Sequence, residues 1–474
     1  MSAGKEREDW RLAIGEAIDL LVRADVLYPM TQEDDIILDG EVAIRQDRIV
    51  YAGPSRPDGT WSPARKLSGK GKAVLPGFVN CHSHAASIVF RSQSDDGAGG
   101  AALYTVAFRA EKNITPEQWC DLAVLGVIDM IKSGITTIND IWYEPEALAE
   151  ACVQAGLRAQ LAYKLFDVRL EELYRQDYTR YPNVGEARLR RGVELVENWH
   201  GRADGLICGR IGPHATDTCS TGLHKEAVAE ARRMKVGCHT HVAQSKGEVD
   251  YIAATHGKGP AQYLLDIDAL DANSVVAHLT FATSGDFDAV SQASARYAHC
   301  STIYPRRGIY PDIPSIDARD ISWGLATDWM MNDPFEAMRN AMNALRLQQG
   351  TYEALSSHRA LHLATRDSAE VLGLGSAVGR LKAGFKADLI QVDIDQPHLA
   401  PFYANYSSMA YYARASDVVT SVINGNVVME ERRVLGIDEG EALAAVQRHL
   451  PGWAALVREL GGTAHRALCP CGHQ

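Results

Sequence analysis

The chain has 474 residues, of which 46% are hydrophobic and 23% charged, and its formal net charge is −12. This composition is typical of a globular protein with a large core, and the negative charge argues against a binder of nucleic acid, which needs a basic face. No apolar stretch reaches the ~18 residues of a membrane span, and nine cysteines, partly in apolar runs, indicate free thiols of a reducing compartment. We therefore expect a cytoplasmic protein that does not bind membranes.

Both ends of the chain show short β-strand patterns. From Ile18 to Leu75, and again from Leu381 to Val434, apolar runs alternate with pieces rich in turn residues. Asn424-Gly425 marks a hairpin turn in the second region. The sequence therefore predicts a small β-sandwich domain built from residues 1–74 and 381–440, with a C-terminal helix and tail over residues 441–474.

The middle of the chain, residues 75–380, alternates short β-branched runs with stretches compatible with helices. One such helix is predicted to begin after Thr115, where a Thr-x-x-Gln capping box stands, and to end before Gly134. Eight strand candidates can be counted, in or near the segments VLPGFVNCHSH, GITTIND, LRAQLAYKL, LICGRIGPHA, KVGCHTHVA, NSVVAHLT, ARYAHCST and ISWGLATD. Eight such units predict an α/β fold of the (β/α)8 TIM-barrel type.

Histidines and an aspartate stand where these strands end, which is where a barrel carries its reactive groups. Two of the strands end in His-x-His, and residues i and i+2 of a strand point to the same side. Neutral imidazole and carboxylate groups suit Zn²⁺ or similar metals and leave a position for water. The side chains are His82 and His84 on strand one, His214 on strand four, His239 and His241 on strand five, His278 on strand six and Asp328 on strand eight.

The order and spacing of these motifs resemble the amidohydrolase superfamily. The resemblance runs from about Asp25 to Arg433, through GFVNCHSHAASIVFRSQSDD, GITTINDIW, GPHATDTCS, CHTHVAQSKGEVD, VVAHLTF, HCST, GLATDW and LATRDSAEVLGLGSAVGRLKAGFKADLIQVD. The branch it most resembles contains methylthioadenosine/adenosylhomocysteine deaminases and s-triazine hydrolases such as atrazine chlorohydrolase. Members usually pair, so the resemblance also implies a homodimer or higher homo-oligomer.

The resemblance implies one divalent transition metal per chain, most simply zinc, with iron, cobalt and manganese as alternatives. A single metal is expected because strand four carries Arg210 where dinuclear relatives have a carboxylated lysine. Asp328 would accept a proton from the attacking water, and His278 would stabilise charge at the reacting centre. The ligands implied by the resemblance are His82, His84, His241 and Asp328.

Gln244 departs from the family pattern, which has a glutamate three residues after the strand-five histidine. Glutamine can orient a water or a carbonyl, but it cannot accept and return a proton. Glu248, one turn later, is an alternative source of the acid, although its family counterpart is usually solvated. Since protonating a ring nitrogen is harder without the shuttle, we predict hydrolysis of a C–N or C–S bond in a small neutral amide-, urea- or (thio)carbamate-like compound.

Two other functions remain open. One is an aminohydrolase or chlorohydrolase acting on a purine or s-triazine; the other is a metal-binding relative without catalysis. Relatives that act on phenylureas and thiocarbamates connect the first prediction to xenobiotic degradation. The predicted substrate-binding residues are His214, Arg91, Tyr304 and Trp329, while Lys164 is expected to be structural or to face the substrate.

Three further segments lie near the pocket or at the C-terminus. Arg306 and Arg307 would bring charge to the rim of the site. The Gly- and Ala-rich segment after Ser92 could form a mobile entrance loop. The tail from Cys469 to His473 is expected to be unstructured rather than a second metal site.

Overall fold

The computed structural model describes residues 15–32, 35–93 and 103–461. The tail from Cys469 to His473 and most of the predicted entrance loop lie outside these residues. The described residues form two sheets. The strands are β1 (Glu16–Leu27), β2 (Ile37–Arg45), β3 (Arg48–Pro54), β4 (Trp61–Leu67), β5 (Lys72–Pro76), β6 (Phe78–Ser83), β7 (Ile135–Trp142), β8 (Arg158–Leu165), β9 (Ile207–Pro213), β10 (Cys238–Val242), β11 (Ser274–His278), β12 (Arg296–Cys300), β13 (Trp323–Ala326), β14 (Leu389–Asp393), β15 (Val418–Ile423), β16 (Asn426–Glu430) and β17 (Arg433–Val434).

Strands β6 to β13 form a barrel in which each strand pairs in parallel with the next one along the chain. They are strands one to eight of the predicted barrel, so strand one is β6, strand five is β10 and strand eight is β13. The barrel closes between its first and last strands, where the Asp328 N–H donates to the His82 carbonyl at 3.0 Å and Ser83 bridges to Asp328. Small side chains such as Cys81 and Ala298 pack in the same buried cluster. The predicted (β/α)8 barrel is thus confirmed, and its closure brings strands one and eight side by side.

Helices surround the barrel and follow the signals in the sequence. Thr115 caps α2 with the predicted capping box, and Gly134 follows its end with a φ of +85°. No described helix is long and apolar enough to cross a membrane. The helices are α1 (Phe108–Glu111), α2 (Pro116–Lys132), α3 (Pro145–Ala155), α4 (Pro182–Trp199), α5 (Arg202–Gly205), α6 (Thr221–Met234), α7 (Lys246–His256), α8 (Pro260–Asp266), α9 (Ser284–Gln292), α10 (Ile313–Asp317), α11 (Pro334–Gln349), α12 (Ser357–Ala364), α13 (Arg366–Val371) and α14 (Glu439–Glu459).

The other nine strands form one mixed sheet from both ends of the chain, as the sequence predicts. Its order is β17-β16-β15-β14-β5-β1-β2-β3, with β4 paired beside β1. The two chain ends meet where β5 pairs antiparallel with β14. The predicted hairpin is present, because Asn424 and Gly425 both have positive φ (+51° and +78°) between β15 and β16, as a tight two-residue turn requires.

A buried ion pair joins the barrel to this sheet. Arg158, at the start of β8, donates from Nε and Nη2 to the two carboxylate oxygens of Asp388 at 2.7 and 3.0 Å. Asp388 also accepts from the Asn424 backbone N–H at 2.7 Å. Both charged side chains are almost fully buried, so neither would have water as a substitute partner.

We expect Asp388→Asn to lower the free energy of unfolding by about 3–5 kcal/mol, because it leaves a buried guanidinium without its counter-charge. Asp268→Asn is the matched control, since Asp268 forms an equally bidentate pair with Arg232 at an exposed position. That change should cost about 1 kcal/mol or less. Urea denaturation compares the two, and equal losses would contradict a structural role for the buried pair.

Candidate metal centre

Four predicted ligands converge at the carboxyl ends of strands one, five and eight. Nε2 of His84 lies 3.3 Å from Nε2 of His241. Asp328 Oδ1 lies 3.4 Å from Nε2 of His82 and 3.6 Å from Nε2 of His84. All four side chains are buried. Barrel closure produces this cluster, because Asp328 follows β13 at the point where its backbone bonds to strand one.

The donor atoms of this cluster fit a metal ion. His84 Nδ1 lies 2.8 Å from the Ile141 carbonyl and His241 Nδ1 lies 2.7 Å from the His214 carbonyl. A carbonyl only accepts, so each Nδ1 carries the proton and each Nε2 presents a lone pair, the usual state of a metal-binding imidazole. Two lone pairs therefore face each other at 3.3 Å without a proton to share. A cation between them and the carboxylate removes that repulsion.

Burial keeps these imidazoles in the ligand form. It lowers the pKa of His82 to about 3 and holds the pKa of His84 and of His241 well below the usual value. All three are neutral at pH 7, as metal binding requires. Burial raises the pKa of Asp328, while His278 and Arg307 act in the opposite direction.

His82 differs from the other two histidines in its partner. Its Nδ1 lies 2.7 Å from Nε2 of His239, which is itself fully buried, and its Nε2 has no hydrogen-bond partner. The two histidines of the strand-five motif thus have different partners. His241 lies in the cluster of predicted ligands, and His239 contacts the predicted ligand His82. His239 belongs to the strand-five His-x-His motif, but the sequence predicts no role for it.

His278 stands beside the cluster in a strained backbone conformation. Its Nδ1 lies 3.9 Å from Asp328 Oδ2 and has no hydrogen-bond partner. The backbone has a φ of +83°, which is uncommon for a residue with a side chain and is often found at functional sites. The buried Tyr297 hydroxyl donates to the His278 carbonyl at 2.8 Å. Potential ligand atoms of His82, His278, Cys300 and Asp328 also lie within 4.8 Å of one another, so His278 is close enough to act as a ligand.

A cavity of about 40 Å³ opens over the cluster. Three of the predicted substrate-binding residues, His214, Tyr304 and Trp329, line it, as does Gln244. Arg307 also lines it, whereas Arg306 pairs with Glu336. We call this space the inner chamber. Its further lining residues are His84, Leu103, Phe108, Glu111, Trp142, Lys164, His241, Ser245, His278, Ile303 and Asp328.

Arg91, predicted to bind substrate, is not among the described residues that line the inner chamber, and its role stays a prediction. Its Nε donates to the Met330 carbonyl at 2.6 Å, and its Nη2 donates to Asp129 at 2.5 Å. The guanidinium therefore ties the loop after strand eight to α2.

Gln244 and Glu248 occupy different environments. The Gln244 side-chain Nε2 is buried without a hydrogen-bond partner in the wall of the inner chamber. Glu248 is fully buried in the first turn of α7, not solvated as expected for its family counterpart. It accepts from the Gln244 and Ala243 backbone N–H groups at 2.8 and 3.2 Å and from the Thr216 hydroxyl at 2.6 Å. Glu248 thus fixes the loop that carries Gln244.

A buried ion pair between Lys164 and Glu111 forms another wall of the inner chamber, and the sequence analysis singled out only Lys164. Lys164 Nζ lies 2.9 Å from Glu111 Oε2 and within 5 Å of the ring centres of Phe108, Trp142 and Tyr143. The Glu111 Oε1 atom is buried and has no hydrogen-bond partner. Glu111 was missed because it precedes α2 in a region with no strand or motif signal, whereas Lys164 ends a strand.

The sequence has clear relatives. A model of the Amidohydrolase family matches residues 73–428. The 5-methylthioadenosine/S-adenosylhomocysteine deaminase of Pelotomaculum thermopropionicum is 34% identical over 438 residues, which cover 91% of this chain and 98% of that protein. The 5'-deoxyadenosine deaminase of Methanosarcina acetivorans is 30% identical over 431 residues, which cover 90% and 96%.

Solved structures share the fold. An adenosine deaminase from Xanthomonas campestris with bound zinc superposes with a TM-score of 0.84 at 22% identity, over 94% of this chain and 100% of that one. An atrazine chlorohydrolase from Arthrobacter aurescens, complexed with zinc, gives 0.80 at 20% identity, over 92% and 100%. Since the family model spans most of the chain and nearly full-length relatives are at least 30% identical, this chain belongs to the amidohydrolase family of hydrolases.

Proposed function

We propose that this protein hydrolyses a C–N or C–S bond of a small neutral amide-, urea- or (thio)carbamate-like compound with the help of one divalent metal. The observation that carries the metal is the pair of imidazole lone pairs 3.3 Å apart beside Asp328. The observation that carries the substrate class is Gln244, which stands in the chamber wall with a free amide donor.

His82, His84, His241 and Asp328 would hold the metal, which when bound supplies a water of lowered pKa and a Lewis acid. Asp328 accepts the proton of the attacking water with its second carboxylate oxygen, which lies 3.9 Å from His278 Nδ1, and returns it to the leaving nitrogen or sulfur as the C–N or C–S bond breaks. His278 stabilises negative charge as it develops on the attacked carbonyl oxygen. Gln244 Nε2 donates a hydrogen bond that orients the substrate, but it moves no proton.

The inner chamber is small, with a volume of about 40 Å³, and we propose that it receives the reacting group of the substrate. His214, Tyr304 and Trp329 form walls around the group, and the unpartnered oxygen of Glu111 can accept from an N–H or O–H of the substrate. Arg91 remains a predicted substrate-binding residue, although it does not line this chamber.

The second candidate function is removal of an amino group or chloride from a purine or s-triazine. It is favoured by the two relatives named as deaminases of adenosine derivatives, which align with almost the whole chain. In that case Glu248 would have to supply the proton shuttle. Its carboxylate already accepts from two backbone N–H groups and a hydroxyl, which favours the first candidate.

We further propose that the metal is zinc, since two similar structures contain it, with iron, cobalt and manganese as alternatives. We also propose a homodimer or higher homo-oligomer in the cytoplasm. The seven described cysteines are all unpaired, in keeping with a reducing compartment. A role in xenobiotic degradation follows if phenylureas or thiocarbamates prove to be substrates.

Elemental analysis and turnover measured on one preparation test the proposal. We expect about one metal per chain and hydrolysis of a phenylurea or thiocarbamate in preference to a purine nucleoside or a chloro-s-triazine. His241→Ala should lose the metal and the activity, because it removes a ligand, whereas His200→Ala at an exposed histidine should retain both. Faster release of ammonia or chloride from the heterocycles would favour the second candidate. Metal-bound protein that turns over no compound of the panel would support the non-catalytic alternative.

His278→Asn separates a charge-stabilising role from a ligand role. We expect kcat to fall by about 10²–10³-fold, the usual cost of losing a group that stabilises developing charge. Metal content should stay unchanged. Loss of metal on the same substitution would instead assign His278 to the ligand set with His82, Cys300 and Asp328.

Gln244→Glu tests whether the missing carboxylate limits the chemistry. Glutamate at this position can take and return a proton, a contribution of typically 10²–10⁴-fold. We expect ammonia release from a purine nucleoside to rise at least tenfold in Gln244→Glu and not in the control Gln244→Ala. An unchanged rate would show that the shuttle is supplied elsewhere or is not limiting.

A further inference from the structure

A second cavity lies next to the inner chamber and shares part of its wall. Its volume is about 380 Å³, against about 40 Å³ for the inner chamber. Gln244, Ser245 and Tyr304 line both. The two cavities therefore adjoin at these three residues, and we call the larger one the outer chamber.

Aromatic rings dominate the outer chamber. Five of its twelve lining residues are aromatic, although aromatic residues are 7% of the chain. The rings come from loops after four different barrel strands, so only the closed barrel brings them together. They are Tyr104, Tyr174, Tyr178, Phe281 and Tyr304.

Two of these rings are fixed by hydrogen bonds of their hydroxyl groups. The Tyr104 hydroxyl lies 2.8 Å from Asp217 Oδ2 and 2.7 Å from the Ser245 hydroxyl. The Tyr304 hydroxyl donates to the Gln244 carbonyl at 2.6 Å. With their polar ends engaged in the protein, these residues present mainly carbon to the chamber.

Two more rings are supported by stacking. Tyr178 stacks on Tyr251 with ring centres 3.9 Å apart. The Tyr174 ring lies beside the guanidinium groups of Arg109 and Arg175, at 4.6 and 4.9 Å from the ring centre. Walls held in place in this way lose little side-chain freedom when a ligand binds, which favours affinity.

The outer chamber offers little to a charged ligand. Lys246 is the charged residue among those that line it, and its ammonium group pairs with Asp250 at 3.3 Å on an exposed part of α7. Among the residues that line the chamber, an anionic group of a ligand would find only Lys246, which is already paired with Asp250. A cationic group would be repelled by the same ammonium group. Neutral aromatic groups match the lining better, because rings pack on rings in offset or edge-to-face arrangements.

We propose that the outer chamber is a subsite for a neutral aromatic arm of the substrate, whose hydrolysable group reaches the inner chamber past Gln244. This inference rests on the proposed function in placing the reacting group over the metal ligands. It adds that the preferred substrates are aryl compounds, and it makes Tyr174 and Tyr178 specificity-determining residues that take no part in the chemistry.

Binding of two ketones to the metal-loaded enzyme tests the subsite separately from catalysis. Acetophenone and acetone share a carbonyl group, differ by the aromatic ring and contain no bond that the enzyme could hydrolyse. We expect calorimetry to show tighter binding of acetophenone. Tyr178→Ala and, separately, Tyr174→Ala should each weaken acetophenone binding by between about twofold and tenfold and leave acetone binding unchanged.

Tyr352→Ala is the matched control, because Tyr352 is 78% exposed and lines neither chamber. Equal affinities for the two ketones, or equal weakening of both by the tyrosine variants, would overturn the subsite. A tyrosine-dependent preference for acetophenone without hydrolysis of any amide, urea or carbamate would support the subsite while the proposed function fails. Hydrolysis of such a compound together with equal affinities for the two ketones would support the proposed function and overturn the subsite.

Discussion

The site depends on one backbone contact, the hydrogen bond from the Asp328 N–H to the His82 carbonyl that closes the barrel. A parallel sheet of eight strands leaves its first and last strands with unpaired edges unless it curves until they meet. In this barrel the first and last strands meet at the predicted metal ligands His82 and Asp328. The carboxylate of strand eight comes to within 3.6 Å of the imidazoles of strand one, and strand five adds a third imidazole from across the barrel.

Hydrogen bonds among buried polar groups orient the histidines of the site. In a site this buried, each imidazole needs a partner for its second nitrogen, and the chain supplies two carbonyls and the ring of His239. The atoms left without partners are the informative ones. His82 Nε2, His278 Nδ1, Gln244 Nε2 and Glu111 Oε1 are buried and lack hydrogen bonds, a costly state unless a metal or substrate completes them.

The loop after strand five holds Gln244 through contacts to its backbone. Glu248 accepts from the Gln244 backbone N–H, and the Tyr304 hydroxyl donates to the Gln244 carbonyl, so the backbone that carries this side chain is fixed from both sides. The aromatic outer chamber borders the same loop, because Gln244 and Ser245 line both chambers.

The sequence by itself predicted the barrel, a sheet formed by both chain ends, and the histidines and aspartate at the ends of the barrel strands. These follow from local rules: strand and helix periodicity, capping at Thr115, the turn at Asn424-Gly425 and the alternation of side chains along a strand. The choice of His82, His84, His241 and Asp328 as a ligand set came from the resemblance of the motifs to the amidohydrolase superfamily. Tertiary structure decided what depends on distant loops. It turned Arg91 towards Asp129, buried Glu248, brought Glu111 against Lys164 and assembled the outer chamber. Each is a contact between residues far apart in the chain, and no local pattern encodes which loop folds over which.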